Sequence, residues 1–252
     1  MNLTPVSFLI VCPLLFLAGF VDAIGGGGGL ISLPAYLFAG LPVHQAIATN
    51  KLSSSCGTAL STIRFLKHGL VNLKLVLPAL AAAFTGSSLG ARLSLMVSED
   101  VMKYVLFVVL PAAAFVVMNR HLFGDGGGEA KADRRTVTVC ILSALVIGLY
   151  DGFYGPGTGT FLIIAFTALA KMSVPAANAQ AKVINLTTNI TSLVVFLLSG
   201  QVVFLLGLAG AACNRAGNWL GSGLAMTRGA KIVRPVILVV LALLLVKILT
   251  GF

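Results

Sequence analysis

The sequence predicts an all-α, polytopic membrane protein. It is a helical bundle of two inverted-topology repeats, each a broken, re-entrant helix hairpin followed by three transmembrane helices, about 8 spans in all. Three observations carry this reading. The chain is 58% hydrophobic and 10% charged, with a mean hydropathy of +1.03, where a soluble domain carries about 25% charged residues. Two apolar stretches are interrupted by glycine tracts, Gly25 to Gly29 and Gly155-Pro156-Gly157-Thr158-Gly159. The second half then repeats the first in order.

Composition also excludes classes. A formal charge of +10 invites a nucleic-acid reading, but the basic residues cluster at the ends of apolar segments, where the positive-inside rule expects them. Cys12, Cys56, Cys140 and Cys213 are scattered without C-x-x-C spacing, so neither a metal nor a redox centre is expected, and no cofactor. The first segment lacks a basic leader and runs straight into glycine, so it is not read as a signal peptide. No Gly-Lys-Ser/Thr follows either glycine tract, which removes a nucleotide loop.

The first element runs from Val6 to Ala23 and leads into Gly19-Phe20-Val21-Asp22-Ala23-Ile24 and the five glycines. Each glycine costs a helix about 1 kcal/mol relative to alanine, so the helix should break there. Both flanks, Val6–Ala23 and Leu30–Leu41, read as shorter than the roughly 20 residues of a full span. Irregular backbone at membrane depth is tolerated only where it is buried in protein or lines a polar cavity. Ala46 to Phe65 follows with one polar face, on which Lys51, Ser54, Thr58, Ser61 and Thr62 share a side at 3.6 residues per turn. Leu73 to Met96 is a span with Gly86 and Gly90 at small-xxx-small spacing, and Val101 to Met118 is another. Residues 121–135 form the hydrophilic linker between a first repeat, 1–120, and a second, 136–252.

The repeat shows in the offsets. Asp151 follows Asp22 by 129 residues (22 to 151), and Lys182 follows Lys51 by 131 (51 to 182). Gly200, Gly217 and Gly221 match Gly69, Gly86 and Gly90 at the second offset. One offset held across three helices signals an internal repeat, with two residues inserted between Asp and Lys. A hairpin that enters and leaves on one face, followed by three crossings, inverts the second half. One face then collects Arg64, Lys67, Lys74, Arg120, Lys131, Arg134, Arg135, Lys171, Arg228, Lys231 and Arg234, against Arg92, Lys103 and Lys247 on the other. The first face is expected to be cytoplasmic and both termini periplasmic or extracellular.

Ionisable groups inside membrane segments are costly and usually functional. Lys51 and Lys182 are expected to point inward and bring positive charge to an anion, alongside Asn50 and Ser54 in one half and Gln180, Asn185 and Asn189 in the other. Snorkelling to the interface is the alternative. Asp22 and Asp151 end helices, where a carboxylate opposes the helix dipole. They read either as ion-pair partners of the lysines or as proton-coupling sites. A paired-aspartate intramembrane protease is set aside, because both aspartates precede their glycines, so no enzyme is expected. Gly26, Gly28, Gly155 and Gly157, with Thr158, offer amides and a hydroxyl to an anion. Arg215, mid-span with Phe84 as its counterpart, reads as a substrate or coupling residue. His44, His68 and His121 read as surface residues near span ends.

Gly19-Phe20-Val21-Asp22-Ala23-Ile24-Gly25-Gly26-Gly27-Gly28-Gly29-Leu30, Ala48-Thr49-Asn50-Lys51-Leu52 and the tract from Tyr150 to Thr160 together resemble the sulfite exporter TauE/SafE family, also called TSUP, in its YfcA-like branch. The resemblance covers nearly the whole chain. It implies an inner-membrane transporter of sulfur-containing anions: sulfite, sulfoacetate or other organosulfonates outward, thiosulfate inward in some members. A secondary transporter of small anions, with coupling to protons through Asp22 or Asp151, is the expected function. The alternatives are a transporter of a cation or other metabolite, and a non-transport membrane component. The expected partners are a small anionic substrate and the lipid bilayer, not nucleic acid.

Overall fold

The computed structural model describes residues 4–119 and 128–227. These form α1 (Pro5–Gly25), α2 (Gly29–Phe38), α3 (Val43–Lys67), α4 (Leu73–Met96) and α5 (Glu99–Met118). After the linker come α6 (Arg134–Phe153), α7 (Thr158–Ala168), α8 (Val174–Leu198) and α9 (Phe204–Thr227). Expectations for Arg120, His121, Arg228, Lys231, Arg234, Lys247 and the last span fall outside the described residues.

Helix starts follow local chemistry. Asn72, Ser98 and Asp133 cap α4, α5 and α6 by accepting from the backbone N–H of Lys74, Val101 and Thr136, groups that the first helical turn leaves unpaired. Gly69 and Gly200 end α3 and α8 with φ of 68° and 70°. Lys171 takes φ 56° where the first half has Gly40 at 88°. The extra residues of the second half sit in α7 and in its loop to α8.

One sequence expectation is corrected. The first arm of each hairpin is not short: α1 has 21 residues and α6 has 20. Both join α4 and α8 among the helices long and apolar enough to cross a membrane. Helix α1 continues through Gly25, whose carbonyl accepts a hydrogen bond from the Thr160 hydroxyl at 2.9 Å. Among the described helices only α2 and α7, with 10 and 11 residues, are short.

Contact registers give the helix directions. Gly217 meets the Phe16 carbonyl and Gly221 that of Phe20, so α1 and α9 run the same way. Gly86 meets Leu145 and Gly90 meets Leu149, so α4 runs with α6. Gly207 lies against Thr49 and Leu52, and Gly57 against Asn214 and Asn218, so α3 runs with α9. Asn72 bonds Gln180 and Ser87 bonds Thr188, so α4 runs with α8. Because Ser94 near the end of α4 reaches His44 at the start of α3, α3 and α4 are antiparallel. Hence α1, α3 and α9 run one way and α4, α6 and α8 the other, and equivalent helices of the two halves are inverted. Since α1 and α3 share a direction, α2 must return the chain to the end it came from.

The tightest helix crossings lie between halves, α1 on α9 and α6 on α4. Small residues at those crossings let backbones approach closely, as at Gly217 and Gly86, where a Cβ would strike a carbonyl of the facing helix. Two apolar clusters fill the rest. One gathers Leu15, Leu33, Tyr36 and Phe196, and the other Leu75, Cys140, Phe166 and Ile184. The ends of the bundle differ in charge. Arg64, Lys67, Lys74, Lys131, Arg134, Arg135 and Lys171 fall at the end where α3 finishes. Arg92 and Lys103 lie toward the other, with Glu99 and Asp100.

Candidate functional site

The two breaks meet inside the bundle. Gly26, with φ of 72°, packs its Cα side on the backbone of Gly159 and Thr160, a place where any side chain would collide. Around this meeting point lies a cavity of about 20 Å³ lined by Asp22, Gly27, Gly29, Asn50, Lys51, Ser54, Thr58, Asp151, Gly155, Gly157, Thr158, Gly159, Asn185 and Asn189. That volume holds about one water molecule. Among the described residues, no protein acceptor pairs with the amide N–H of Gly27, Gly155, Gly157 or Gly159. All four glycines line the cavity, at a break and a first helical turn, where backbone amides lack intrahelical acceptors.

Each lysine is bound by the aspartate of the opposite half. Lys182 Nζ lies 2.6 Å from Asp22 Oδ2 and also donates to the Asp22 carbonyl. Lys51 Nζ lies 2.8 Å from Asp151 Oδ2. That second contact is off the hydrogen-bonding angle, which leaves Oδ2 without a donor, while Asp151 Oδ1 accepts from the Thr158 hydroxyl at 2.7 Å. The lysine side chains are 2% and 1% exposed, so they are interior groups and do not snorkel. Burying an ion costs several kcal/mol, which only close pairing and further hydrogen bonds offset. The aspartates therefore occupy both ends of the dipole problem: each sits at an unfavourable helix C-terminus and is matched by a cation from α3 or α8.

The cavity also carries neutral polar groups. Ser54 donates to Asn50 Oδ1 at 3.2 Å, and Asn189 Nδ2 to Asn185 Oδ1 at 3.1 Å. At the 131-residue offset the second pair is equivalent to Ser54 and Thr58, one turn further along the helix than the first. Thr58 reaches Asp22 Oδ2 at 3.4 Å.

Of the residues singled out from the sequence, Asn50, Lys51, Ser54, Gly155, Gly157, Thr158, Asn185, Asn189, Asp22 and Asp151 line the cavity, and Lys182 holds one of its carboxylates. The other four neither line it nor hold one of its carboxylates. Gly26 and Gly28 are turned against backbone, Gly28 against the Ala18 carbonyl, and their neighbours Gly27 and Gly29 line the cavity instead. Gln180 is fully buried and ties the loop before α4, accepting from Asn72 N and donating to the Leu70 carbonyl. Thr49, its counterpart, accepts from Val203 N in the same way. Arg215 lies on the exposed outer side of α9, while its neighbours Asn214 and Asn218 face inward against Gly57 and Gly19. Its mid-span position and its asymmetry with Phe84 single out the charge in the sequence, but neither fixes its direction, and residues one and three positions from an inward-facing asparagine point elsewhere on a helix.

His44 is also more than a surface residue. Its Nδ1 lies 2.7 Å from Glu99 Oε2 and its Nε2 2.9 Å from the Ser94 carbonyl, and Glu99 also accepts from Val43 N. His68 is exposed. The sequence does not single out Gly27, Gly29 or Gly159, which line the cavity, or Asn178, which is buried and donates from Nδ2 to the carbonyls of Ala23 and Ile24 at 3.2 and 3.3 Å. Nothing in the local sequence distinguishes Asn178, and its counterpart in the first half is Ile47.

The family model described as sulfite exporter TauE/SafE matches residues 11–248. The chain belongs to the TauE/SafE family. Among curated relatives, it is 37% identical to a "probable membrane transporter protein ORF9" of a Sinorhizobium species, over 97% of this chain and 92% of that one. It is 35% identical to "probable membrane transporter protein YfcA" of Escherichia coli K12, over 96% and 93%. A further "probable membrane transporter protein" of Haemophilus influenzae is 36% identical over 89% and 87%. No solved structure matches. As a TauE/SafE member, the protein is a membrane transporter, and its crossed ion pairs belong to a transport protein rather than to an enzyme.

Proposed function

We propose that this TauE/SafE protein is a secondary transporter of small anions, with sulfur-containing anions (sulfite, thiosulfate, sulfoacetate or other organosulfonates) as its substrates. The observation that carries the reading is the cavity itself. Four unpaired glycine amides, the amides and hydroxyls of Asn50, Ser54, Thr58, Thr158, Asn185 and Asn189, and two lysine ammoniums converge at the meeting of two inverted helix breaks. Fixed donors of this kind replace the water lost by an oxyanion. Inverted repeats with broken helices at mid-depth are the architecture of alternating access. At about 20 Å³ the cavity admits water but not a sulfonate, so the substrate enters on a rearrangement that separates the two breaks.

In the bacterial inner membrane the basic end of the bundle faces the cytoplasm and the N-terminus faces outward. The hairpins α1–α2 and α6–α7 enter and leave on one side each. Lys51, Lys182 and the glycine amides contact the anion, and a proton accompanies it.

The experiment is flux into proteoliposomes. Wild-type protein should carry at least one anion of the set sulfite, thiosulfate and sulfoacetate. Lys182→Met should abolish that flux, and unchanged flux would remove the site from the account. A second reading is a cation transporter, favoured by the two carboxylates that line the same cavity. Thermal stabilisation by anions and not by metal or organic cations separates the two.

A further inference from the structure

We infer that the proton accompanying the anion is carried by Asp22 alone, reached from the basic end of the bundle through Asn178, and that Asp151 is a fixed structural anion. The inference rests on the anion-transport reading and assigns the coupling group within it.

Charge balance supplies the need for a proton. Two lysines and two aspartates face one cavity in close pairs, so the empty site is neutral. An added monoanion leaves it with one net negative charge in a dry interior, where an uncompensated charge is costly. One proton on one carboxylate restores neutrality and frees its lysine for the anion. A dianion leaves one charge uncompensated, so a single carrier carboxylate favours monoanionic substrates such as hydrogen sulfite or a sulfonate.

The two carboxylates differ in ways that decide between them. Asp151 is 2% exposed, and one of its oxygens is held by the Thr158 hydroxyl. Asp22 is 14% exposed. The position equivalent to Thr158 is Gly29, so no hydroxyl holds Asp22 from its own hairpin, and Thr58 reaches it only at 3.4 Å. The groups facing Asp22 are Thr58 from α3, Lys182 from α8 and the glycine backbones of α2 and α7, with the Lys51–Asp151 pair across the cavity. None of these is a second free carboxylate.

A route reaches the same carboxylate. A cavity of about 240 Å³ lies at the basic end, lined by Phe65, His68, Leu70, Pro175, Asn178 and Ala225. Asn178 spans from it to the last turn of α1, donating to Ala23 and Ile24 next to Asp22. Its Oδ1 is buried and has no partner, so it offers an acceptor to a water or hydronium entering from that vestibule. Lys182, one turn further along α8, takes the Asp22 carboxylate. In the first half Asn178 is replaced by Ile47, which can relay nothing.

The test uses the full-length protein in proteoliposomes, with two assays and an anion that the wild type carries. Substrate exchange at equal pH on both sides reads binding and translocation. Accumulation driven by a pH gradient reads coupling. Asp22→Asn should lose gradient-driven accumulation, with whatever exchange remains no longer responding to the pH gradient. Asn178→Leu, which lies outside the cavity, should slow the gradient-driven rate several-fold with exchange kept. Asp151→Asn should either keep its response to the gradient or fail in both assays. Gradient-driven accumulation preserved in Asp22→Asn, or coupling lost selectively in Asp151→Asn, would overturn the inference. Absence of any anion flux in the wild type would instead overturn the transport reading on which it rests.

Discussion

The two halves of the molecule answer the same problem with different precision. Both place an aspartate at the end of a long helix, break the chain on glycine and send a lysine across from the other half. In the second half the aspartate is closed off: Thr158 binds one oxygen, Tyr150 OH donates to the Pro156 carbonyl at 2.6 Å, and Tyr150 packs on Phe161 at 5.3 Å. In the first half the break is five bare glycines, and Asp22 keeps a larger share of its surface open. The lesson is that pseudo-symmetry fixes where the charges meet, while the side chains around each break decide which pair can exchange partners. One hairpin is braced, and the other is free to give.

The largest expected effect breaks the braced pair. Asp151→Ala leaves Lys51 charged and buried, which should cost about 3–5 kcal/mol. In chemical or thermal unfolding it should be more damaging than Asp22→Ala, whose lysine keeps the Asp22 backbone carbonyl as an acceptor. Equal losses would remove the distinction between the halves.

Next come the crossings between halves. Gly217→Val forces a side chain into the Phe16 carbonyl, and overpacking of this kind costs typically about 1–3 kcal/mol. Gly25→Ala meets nothing within 4 Å and should be neutral or gain up to about 1 kcal/mol of helix propensity. Melting temperatures of the two purified variants check the contrast.

Much of this was legible in the sequence. The internal offsets, the inversion and the meeting of two glycine breaks follow from residue identities and charge distribution, because a membrane leaves few ways to hide backbone and few reasons to keep a buried charge. The pairing of lysines with aspartates was also within reach as one of two readings. What the sequence could not show was rotational detail. A run of five glycines looks the same at every position, so nothing in the sequence separates Gly26 and Gly28 from Gly27 and Gly29, which line the cavity. Gln180 and Asn178 are two residues apart on α8, and only packing shows that the first ties a loop and the second the end of α1. Arg215 differs for the same reason: a mid-span charge with Phe84 as its counterpart marks the position but not the side of the helix it faces.

Two smaller effects sharpen the comparison. Gln180→Ala should cost about 1–3 kcal/mol, the cost of leaving a buried donor or acceptor unpaired. Arg215→Leu should change anion affinity less than twofold in a titration on purified protein, since the guanidinium lies outside the cavity. The smallest effect concerns the cap of α6. Hydrogen bonds from Thr136 hold the Asp133 carboxyl below its ordinary range. A group with a lowered folded-state pKa adds stability above its unfolded value, about 3.9 for aspartate, and loses it as the pH falls through the lowered folded value. Asp133→Ala should therefore melt slightly lower than wild type at neutral pH, with the difference closing in acid.

The central claim is that one anion sits between the two breaks and touches both halves. The most direct measurement replaces sulfite with selenite and locates the selenium by anomalous diffraction from crystals of the full chain. The account predicts a single selenium peak within hydrogen-bonding reach of the Gly27 and Gly157 amides, with the Lys182 ammonium turned from Asp22 toward it. A selenium peak elsewhere in the bundle, with this cavity filled by water alone, would contradict it.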